Sequence, residues 1–346
     1  MACLLYTRVL DDSQALRIKE HKYRSCGVSV CEPFLRPFWN WCAPRIPKRI
    51  APNLLTLGGL LFNVFPVILV LSYSPNLKNQ IPSFPLVLLA VCVFIYQTLD
   101  ALDGMHARST NSCSPLGELV DHGCDAISMY LLSIGHLAVL SMGHHPTASF
   151  IQFFMLNCVF YTSQWQAYVT DTMTFGSFSV TESILFLILS SFLSAIFTVD
   201  FWLIQAPIFG LPLNLLHFFV VAIGCVVIFC QVIHTISVGG VGKYGTTVAN
   251  TSILFPVCPL ILVIGSAALV AHWSPSGVFQ QHPTLFLMCF GAVMAKISQN
   301  LVIAHMTKSS LALSDTVMLG PFVLLANAYF DCPLNEHFLL WVACVS

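Results

Sequence analysis

Charged side chains are scarce in this chain of 346 residues, which has 14 Lys and Arg and 15 Asp and Glu, or 8% of the total. Soluble domains carry about 25% charged residues. Hydrophobic residues make up 57% of the chain, and the mean hydropathy is +0.81. Because so few charges cannot cover a surface that faces water, the composition excludes a soluble globular fold and predicts an integral protein of the lipid bilayer.

An excess of positive charge is also lacking, since the formal net charge is −1. This balance predicts no nucleic-acid partner. Fourteen cysteines are present, but they show no CxxC pattern and no Cys/His spacing typical of a zinc site. We therefore interpret the cysteines as small apolar residues of the membrane segments.

Apolar runs long enough to cross a bilayer, about 20 residues each, recur along the chain. They predict an all-α polytopic membrane protein with about nine to ten transmembrane helices. A tenth run starts near His337 and stops at Ser346, so the last helix is expected to be truncated. The nine complete runs lie near residues 52–73, 84–103, 117–142, 147–168, 183–204, 214–237, 250–271, 284–305 and 313–330.

Nine of the fourteen Lys and Arg residues lie in the first 49 positions. The positive-inside rule therefore predicts a cytosolic N-terminal segment, residues 1–49, followed by a membrane domain, residues 50–346. Aromatic and charged residues mix at positions 35–41, which predicts an amphipathic part that lies along the interface. Alternation from this start puts the connection between the second and third spans in the cytosol.

That connection is flanked by five of the chain's fifteen acidic residues. Asp100 and Asp103 are three positions apart at the end of the second span, and Asp121 and Asp125 are four apart at the start of the third. Each pair shares one helix face, and a short connection lets the two faces oppose each other. The fifth acid, Glu118, lies between the pairs.

Several carboxylates at a bilayer edge repel one another unless cations neutralise them. An all-oxygen set of four suits Mg²⁺ or Mn²⁺ rather than zinc and can hold two ions. Two such ions indicate chemistry on a diphosphate. Gly104 and Gly117 let the backbone approach a bulky nucleotide, so we count both as substrate-binding candidates.

The stretch from Asp100 to Asp125 follows the pattern D-x2-D-G-x2-A-R-x8-G-x3-D-x3-D. In this pattern the chain resembles the CDP-alcohol phosphotransferases, with all eight fixed positions matched. Further stretches are similar to the eukaryotic choline/ethanolamine branch, and the resemblance covers nearly the whole chain. One departure is the pair Met105-His106, where a basic residue is usual. The stretches similar to the choline/ethanolamine branch are Glu20–Tyr23, Ala51–Leu54, Pro115–Asp125, Trp165–Tyr168, Gly239–Lys243 and Ala304–Lys308.

This resemblance implies transfer of phosphocholine or phosphoethanolamine from CDP-choline or CDP-ethanolamine to diacylglycerol, with release of CMP and formation of phosphatidylcholine or phosphatidylethanolamine. It also implies about ten spans, a possible homodimer, and a place in the endoplasmic reticulum and/or the Golgi with the active site facing the cytosol. Because the last helix is expected to be truncated, a catalytically inactive membrane scaffold is the alternative. No residue visibly selects choline over ethanolamine.

His122 is the preferred general base of this reaction. Glu118, one turn earlier on the same helix, is expected to orient the imidazole and to stabilise its protonated form. Asp125 is the alternative base. In a third interpretation His122 only supports the metal ligands or packs the helix.

Arg108 and Asn53 are candidates for substrate binding. A guanidinium pairs well with phosphate, although an arginine at a membrane interface also extends toward water. Asn53 follows Pro52 at the start of the first span and is either a donor-binding residue or a helix cap. Three aromatic residues near the end of the fourth span are more typical of an interfacial belt than of a box for a quaternary ammonium group: Tyr161, Trp165 and Tyr168.

A cation transporter is a further function class that places carboxylates in a membrane. Such a protein commonly carries its acids near mid-membrane in repeated halves. The sequence has one acidic cluster at a helix end and no second one, which favours the enzyme.

Overall fold

In the computed structural model, which describes residues 10–174, 176, 179–312 and 315–345, helices account for nearly all regular structure. The predicted all-α polytopic fold is confirmed. A short parallel pair of strands, β1 (Ser25–Cys26) and β2 (Met173–Thr174), lies outside the helical bundle. The helices are α1 (Asp12–Glu20), α2 (Glu32–Cys42), α3 (Pro52–Tyr73), α4 (Ser83–Ser109), α5 (Pro115–Val139), α6 (Pro146–Thr170), α7 (Val180–Phe197), α8 (Leu213–Ser237), α9 (Val257–Trp273), α10 (Val278–Gln281), α11 (Pro283–Thr307), α12 (Leu319–Tyr329) and α13 (Glu336–Val345).

Five helices in the described ranges, α3, α4, α7, α8 and α11, are long and apolar enough to cross a bilayer. Helices α5 and α6 are as long as α8, at 25 residues each, and both carry many polar side chains on buried faces. Helices α9 and α12 are shorter, with 17 and 11 residues. Polar side chains are thus buried inside the bundle on α5 and α6.

Three predicted spans differ from the observed helices. The run 183–204 was expected to be helical throughout, yet α7 ends at Phe197, where Thr198 has a positive φ of 66°. The run 250–271 was expected to be helical throughout, yet α9 begins only at Val257, because residues 247–251 form a turn closed by hydrogen bonds between Thr247 and Thr251. The run 313–330 contains the shorter α12, preceded by a 3-10 turn at Thr316–Met318. Residues 313 and 314 of that run, like Ser346 of the last one, lie outside the described residues.

Helix α5 lies in the middle of the bundle and packs against α3, α6 and α11. Two glycines allow close approach. A Cβ at Gly291 of α11 would lie 2.8 Å from the ring of Tyr130, and a Cβ at Gly135 would lie 3.3 Å from Val67. Small residues at helix contacts are typical of membrane bundles, where packing replaces the hydrophobic effect as the main attraction between helices.

Helices α4 and α5 form a hairpin whose turn is fixed locally. Ser114 caps α5 by accepting a hydrogen bond from the Gly117 N–H, and Pro115 fits the first helical position, where no amide donor is needed. His106 near the end of α4 bonds to the carbonyl oxygen of Ile50. We call the side of the bundle with this turn the hairpin side and the side where α5 ends the far side.

The N-terminal segment is attached to the hairpin side. Arg17 of α1 donates to the carbonyl oxygens of Thr307 and Lys308, where α11 ends, and β1 pairs with β2 after α6. Helix α2 exposes Phe34 and Trp41, and the predicted interfacial part at 35–41 stays a prediction. The division into 1–49 and 50–346 stays a prediction, and residues 1–9 lie outside the described residues.

Candidate active site

Four carboxylates converge where α4 ends and α5 begins. Asp100 interacts electrostatically with Asp125, Asp121 and Asp103, so the faces of the two helices do oppose each other. Asp103 is buried, and the other three are half-buried. At an effective dielectric constant of ~20, two such charges ~5 Å apart repel by about 3 kcal/mol. Three neighbours at such distances make a fully ionised, uncompensated cluster unfavourable.

The protein itself compensates only part of this charge. Thr56 of α3 donates to Asp103 at 2.5 Å, and Tyr96 donates to Asp125 at 2.8 Å. One oxygen of Asp121, Oδ1, is buried without a hydrogen-bond partner among the described residues. An unpartnered carboxylate oxygen inside a group of carboxylates is the ligand expected at a cation site. In addition, ligand atoms of Asp121, His122 and Asp125 lie within 4.8 Å of one another. The site can therefore hold a metal ion.

His122 is buried beside this cluster. Its Nδ1 lies 3.5 Å from Nε2 of Gln164 on α6, and its ring centroid lies 5.9 Å from that of Tyr23. Both Asp125 and Glu118 act on it electrostatically. The predicted base is thus held between α5, α6 and the N-terminal segment.

Glu118 does not make the contact expected of it. In the described part of the chain no hydrogen bond joins it to His122, and its Oε1 instead lies 3.0 Å from Nε2 of His21. The physical reason is direction, because helical side chains lean toward the N-terminus of their helix. From the first turn of α5, the carboxylate therefore points toward the N-terminal segment rather than toward His122 one turn later.

The predicted substrate-binding residues form two neighbouring pairs on the hairpin side. Oδ1 of Asn53 lies 3.4 Å from the point where a Cβ of Gly117 would be, and the guanidinium of Arg108 lies 3.2 Å from the corresponding point at Gly104. Arg108 is exposed. Both glycines thus leave room beside a polar side chain, and the four residues border the carboxylates.

A small cavity opens next to His122. Burial, the largest effect, and the charges of Asp121 and Glu118 raise the pKa of Tyr23 to about 12, so its phenol stays neutral. His305 also lines the cavity, and its hydrogen bond to Asp171 lowers the pKa of that carboxyl. The lining includes Tyr23, Glu118, His122, Gln164 and His305.

The aromatic-belt interpretation is wrong for Tyr161, Trp165 and Tyr168. All three are buried inside the bundle, with exposed fractions of 3% or less. Each donates a hydrogen bond to a backbone carbonyl, of Pro256, Ile253 and Ser309 respectively. They hold the segments before α9 and after α11 against α6, so they also form no open box for a cationic group.

Sequence reasoning did not assign roles to His21, Tyr23, Gln164, Asp171 and His305. Three of them lie in stretches quoted for the family resemblance, which was the available signal. No sequence signal marked Gln164 or Asp171, since each reaches the site only through the packing of α6 against α5 and α11.

Comparison with known proteins gives consistent results. The family model described as CDP-alcohol phosphatidyltransferase matches residues 49–276. Curated relatives named Cholinephosphotransferase 1 match nearly the whole chain. That of Bos taurus is 40% identical over 339 residues (98% of this chain, 84% of the relative), that of Danio rerio 41% over 332 residues (96% and 87%), and that of Homo sapiens 41% over 336 residues (97% and 83%).

The geometry and these matches agree, because the matched region contains α4, α5 and all four carboxylates. The chain belongs to the CDP-alcohol phosphatidyltransferase family.

Proposed function

We propose that this protein transfers phosphocholine and/or phosphoethanolamine from CDP-choline or CDP-ethanolamine to diacylglycerol and releases CMP. The observation that carries the proposal is the convergence of four carboxylates, one with an unpartnered oxygen, on a helix hairpin that bears the complete family pattern. The relatives' shared name, Cholinephosphotransferase 1, favours a choline donor. Ethanolamine remains part of the proposal.

Asp100, Asp103, Asp121 and Asp125 would hold two Mg²⁺ or Mn²⁺ ions. When bound, such ions neutralise the diphosphate and the charge that develops on the leaving CMP. Thr56 and Tyr96 hold Asp103 and Asp125 in place by hydrogen bonds. Fixed carboxylates suit Mg²⁺, which demands nearly octahedral geometry.

Arg108 and Asn53 bind the donor. The guanidinium of Arg108 is exposed beside Gly104 and pairs with a phosphate oxygen in a bidentate way. Asn53 offers an amide next to Gly117, where the absence of a side chain leaves space for a nucleotide. The donor then lies across the hairpin with its diphosphate at the carboxylates.

His122 takes the proton of the diacylglycerol hydroxyl as its oxygen attacks the phosphorus that carries the amino alcohol. The new P–O bond forms as the bond between that phosphorus and the CMP oxygen breaks. Nδ1 faces the side-chain amide of Gln164, whose nitrogen lies 3.5 Å away. We assign Nε2 as the nitrogen that accepts the proton, which requires a hydrogen on Nδ1 and the amide oxygen of Gln164 as its acceptor. The charge of Glu118, close to the ring, stabilises the imidazolium. Asp125 is the alternative base.

The proposed location is the endoplasmic reticulum and/or the Golgi, with the hairpin side in the cytosol. The N-terminal segment supports this orientation, since residues 1–49 hold nine of the fourteen Lys and Arg and α1 is attached to the hairpin side. A homodimer is also proposed, on the family resemblance alone.

The test is metal-dependent release of CMP by purified protein in detergent with added diacylglycerol. CDP-choline and CDP-ethanolamine compete in one reaction, with Mg²⁺ and Mn²⁺ supplied in turn. Transfer that requires both diacylglycerol and the metal supports the proposal. No release with either donor would instead support the inactive scaffold or the cation transporter.

A further inference from the structure

A second group of ligand-type side chains lies beside the carboxylate cluster. One ligand atom from each of His21, Glu118 and His305 lies within 4.8 Å of the other two. The three come from separate elements, namely the end of α1, the first turn of α5 and the last turn of α11. Helical spacing could not bring these three residues together, since they are up to 284 positions apart.

The group is compact and enclosed. Nε2 of His21 and Oε1 of Glu118 are 3.0 Å apart, and the rings of His21 and His305 meet edge to face with centroids 5.2 Å apart. The exposed fractions of the three side chains are 4%, 11% and 10%. Little solvent therefore competes for the ligand atoms.

Its chemistry differs from that of the four aspartates. Two imidazoles and one carboxylate are a common ligand set for Zn²⁺, whereas Mg²⁺ and Mn²⁺ prefer oxygen. With zinc-to-ligand distances of about 2.0–2.1 Å, the ligands of a tetrahedral site lie about 3.3 Å apart. The His21–Glu118 distance is close to this value, and a ligand atom of His305 lies within 4.8 Å of both.

A carboxylate supports one of the imidazoles from outside the group. Asp171 accepts a hydrogen bond from Nε2 of His305 at 3.2 Å, and its other oxygen lies 3.5 Å from Arg24. Metal-ligating histidines almost always have such an outer partner, which fixes the ring and raises its basicity. The Asp171–His305 pair is thus a second, independent observation that points to a metal ligand.

We propose that His21, Glu118 and His305 form a regulatory site for a borderline divalent cation such as Zn²⁺, and that the bound cation inhibits phosphoalcohol transfer. The inhibition rests on the proposed function, whereas the binding does not. The cation would bind next to the base, because Glu118 and His305 line the same cavity as His122. A dication held there fills part of the space beside the imidazole, so the acceptor hydroxyl is hindered from reaching His122.

The experiment has one arm that needs no activity. Protein prepared without a histidine tag is saturated with Mg²⁺, and Co²⁺ is added as a coloured substitute for Zn²⁺. We expect visible absorption that saturates at one Co²⁺ per chain and disappears when Zn²⁺ is added. His305→Ala should abolish this signal, and Asp171→Asn should weaken Co²⁺ binding about 10–100-fold.

The second arm measures CMP release at saturating Mg²⁺ as Zn²⁺ is added. Zn²⁺ should inhibit the wild type, and ten times more of it should be needed for the same fractional inhibition of His305→Ala or Asp171→Asn. His144→Ala is the matched control, because His144 is an exposed histidine on the far side. Each variant is compared with its own rate without zinc, so a lower basal rate does not affect the result.

Two outcomes overturn the proposal. Equal Co²⁺ binding by the wild type and by folded His305→Ala protein would show that these residues hold no cation. Inhibition that more Mg²⁺ relieves would place the zinc at the four aspartates instead. If the protein binds Co²⁺ as expected but transfers nothing, the site stands and the proposed function fails.

Discussion

The two ends of α5 both carry polar side chains, yet they differ in charge and in closure. On the hairpin side Glu118, Asp121 and Asp125 are half-buried carboxylates beside a cavity. Near the far side His136 is buried, with its Nε2 3.3 Å from the hydroxyl of Ser190 and its ring 4.9 Å from that of His217. One end carries carboxylates and borders a small cavity, whereas the other carries buried histidines.

This difference shows which polar residues of a membrane helix indicate a site. A polar but neutral group costs a few kcal/mol at most when it is buried without a partner, and His217, whose two nitrogens have none, is tolerated in this way. Several neighbouring carboxylates repel one another and demand counter-charge. Charge that the protein leaves uncompensated, rather than polarity, marks the functional end of α5.

The largest expected effect is that of Asp121→Asn. Because it removes a charged ligand with an otherwise unpartnered oxygen, we expect kcat/KM to fall about a thousandfold, equivalent to the several kcal/mol that a catalytic metal contributes. The assay is CMP release at saturating Mg²⁺. Asp200→Asn, at an exposed aspartate outside both polar ends, should keep wild-type activity. A loss of less than tenfold in Asp121→Asn would contradict the metal-ligand assignment.

His122→Ala should have the next largest effect. Loss of a general base lowers kcat about 10²–10⁴-fold, whereas binding of the CDP donor and of metal should persist, because the four aspartates, Arg108 and Asn53 are all retained. Turnover and equilibrium binding of the donor are both measured. Near-normal turnover would leave Asp125 as the base, and loss of binding would indicate a structural role.

Arg108→Lys tests whether Arg108 binds a phosphate of the CDP donor on the hairpin side. The variant keeps the charge but loses the planar pair of donors, so KM for the donor should rise about tenfold with little change in kcat. Arg45→Lys is the matched control, since Arg45 lies on the ring of Trp41 and away from the carboxylates. Equal KM values in both variants would show that Arg108 does not bind phosphate.

The smallest effect is expected on the far side. Replacing His217 by Leu removes two buried nitrogens without partners and keeps the side-chain volume similar, so the free energy of unfolding should rise by about 1 kcal/mol. Thermal unfolding in detergent measures the change. Transfer activity should stay within twofold of the wild type. A tenfold loss of activity would show that both ends of α5 serve the reaction.

Most membrane helices and the carboxylate cluster could be predicted from the sequence, because both depend on the spacing of residues close together in the chain. The positions of most membrane helices follow from runs of apolar residues, and the pairing of Asp100 with Asp103 and of Asp121 with Asp125 follows from helical periodicity. The hairpin that joins the pairs was predictable from Ser114 and Pro115 as helix-start signals.

What the sequence did not show depends on contacts between distant residues. Glu118 bonds to His21, 97 positions away, rather than acting through a contact with His122. Trp165 and Tyr168 read as interfacial aromatics but donate to carbonyls more than 80 positions away and are buried. The late start of α9 has a local origin instead, since turn hydrogen bonds between Thr247 and Thr251, four positions apart, compete with the helix.

The most direct measurement for the central claim is the number of Mn²⁺ ions bound per chain, determined by electron paramagnetic resonance in the presence of the CDP donor. The carboxylate cluster predicts two ions in the wild type and fewer in Asp121→Asn, while His217→Leu should still bind two. If the wild type bound no Mn²⁺, or if Asp121→Asn bound as many ions as the wild type, the four aspartates would not be a metal site and the proposed mechanism would be wrong.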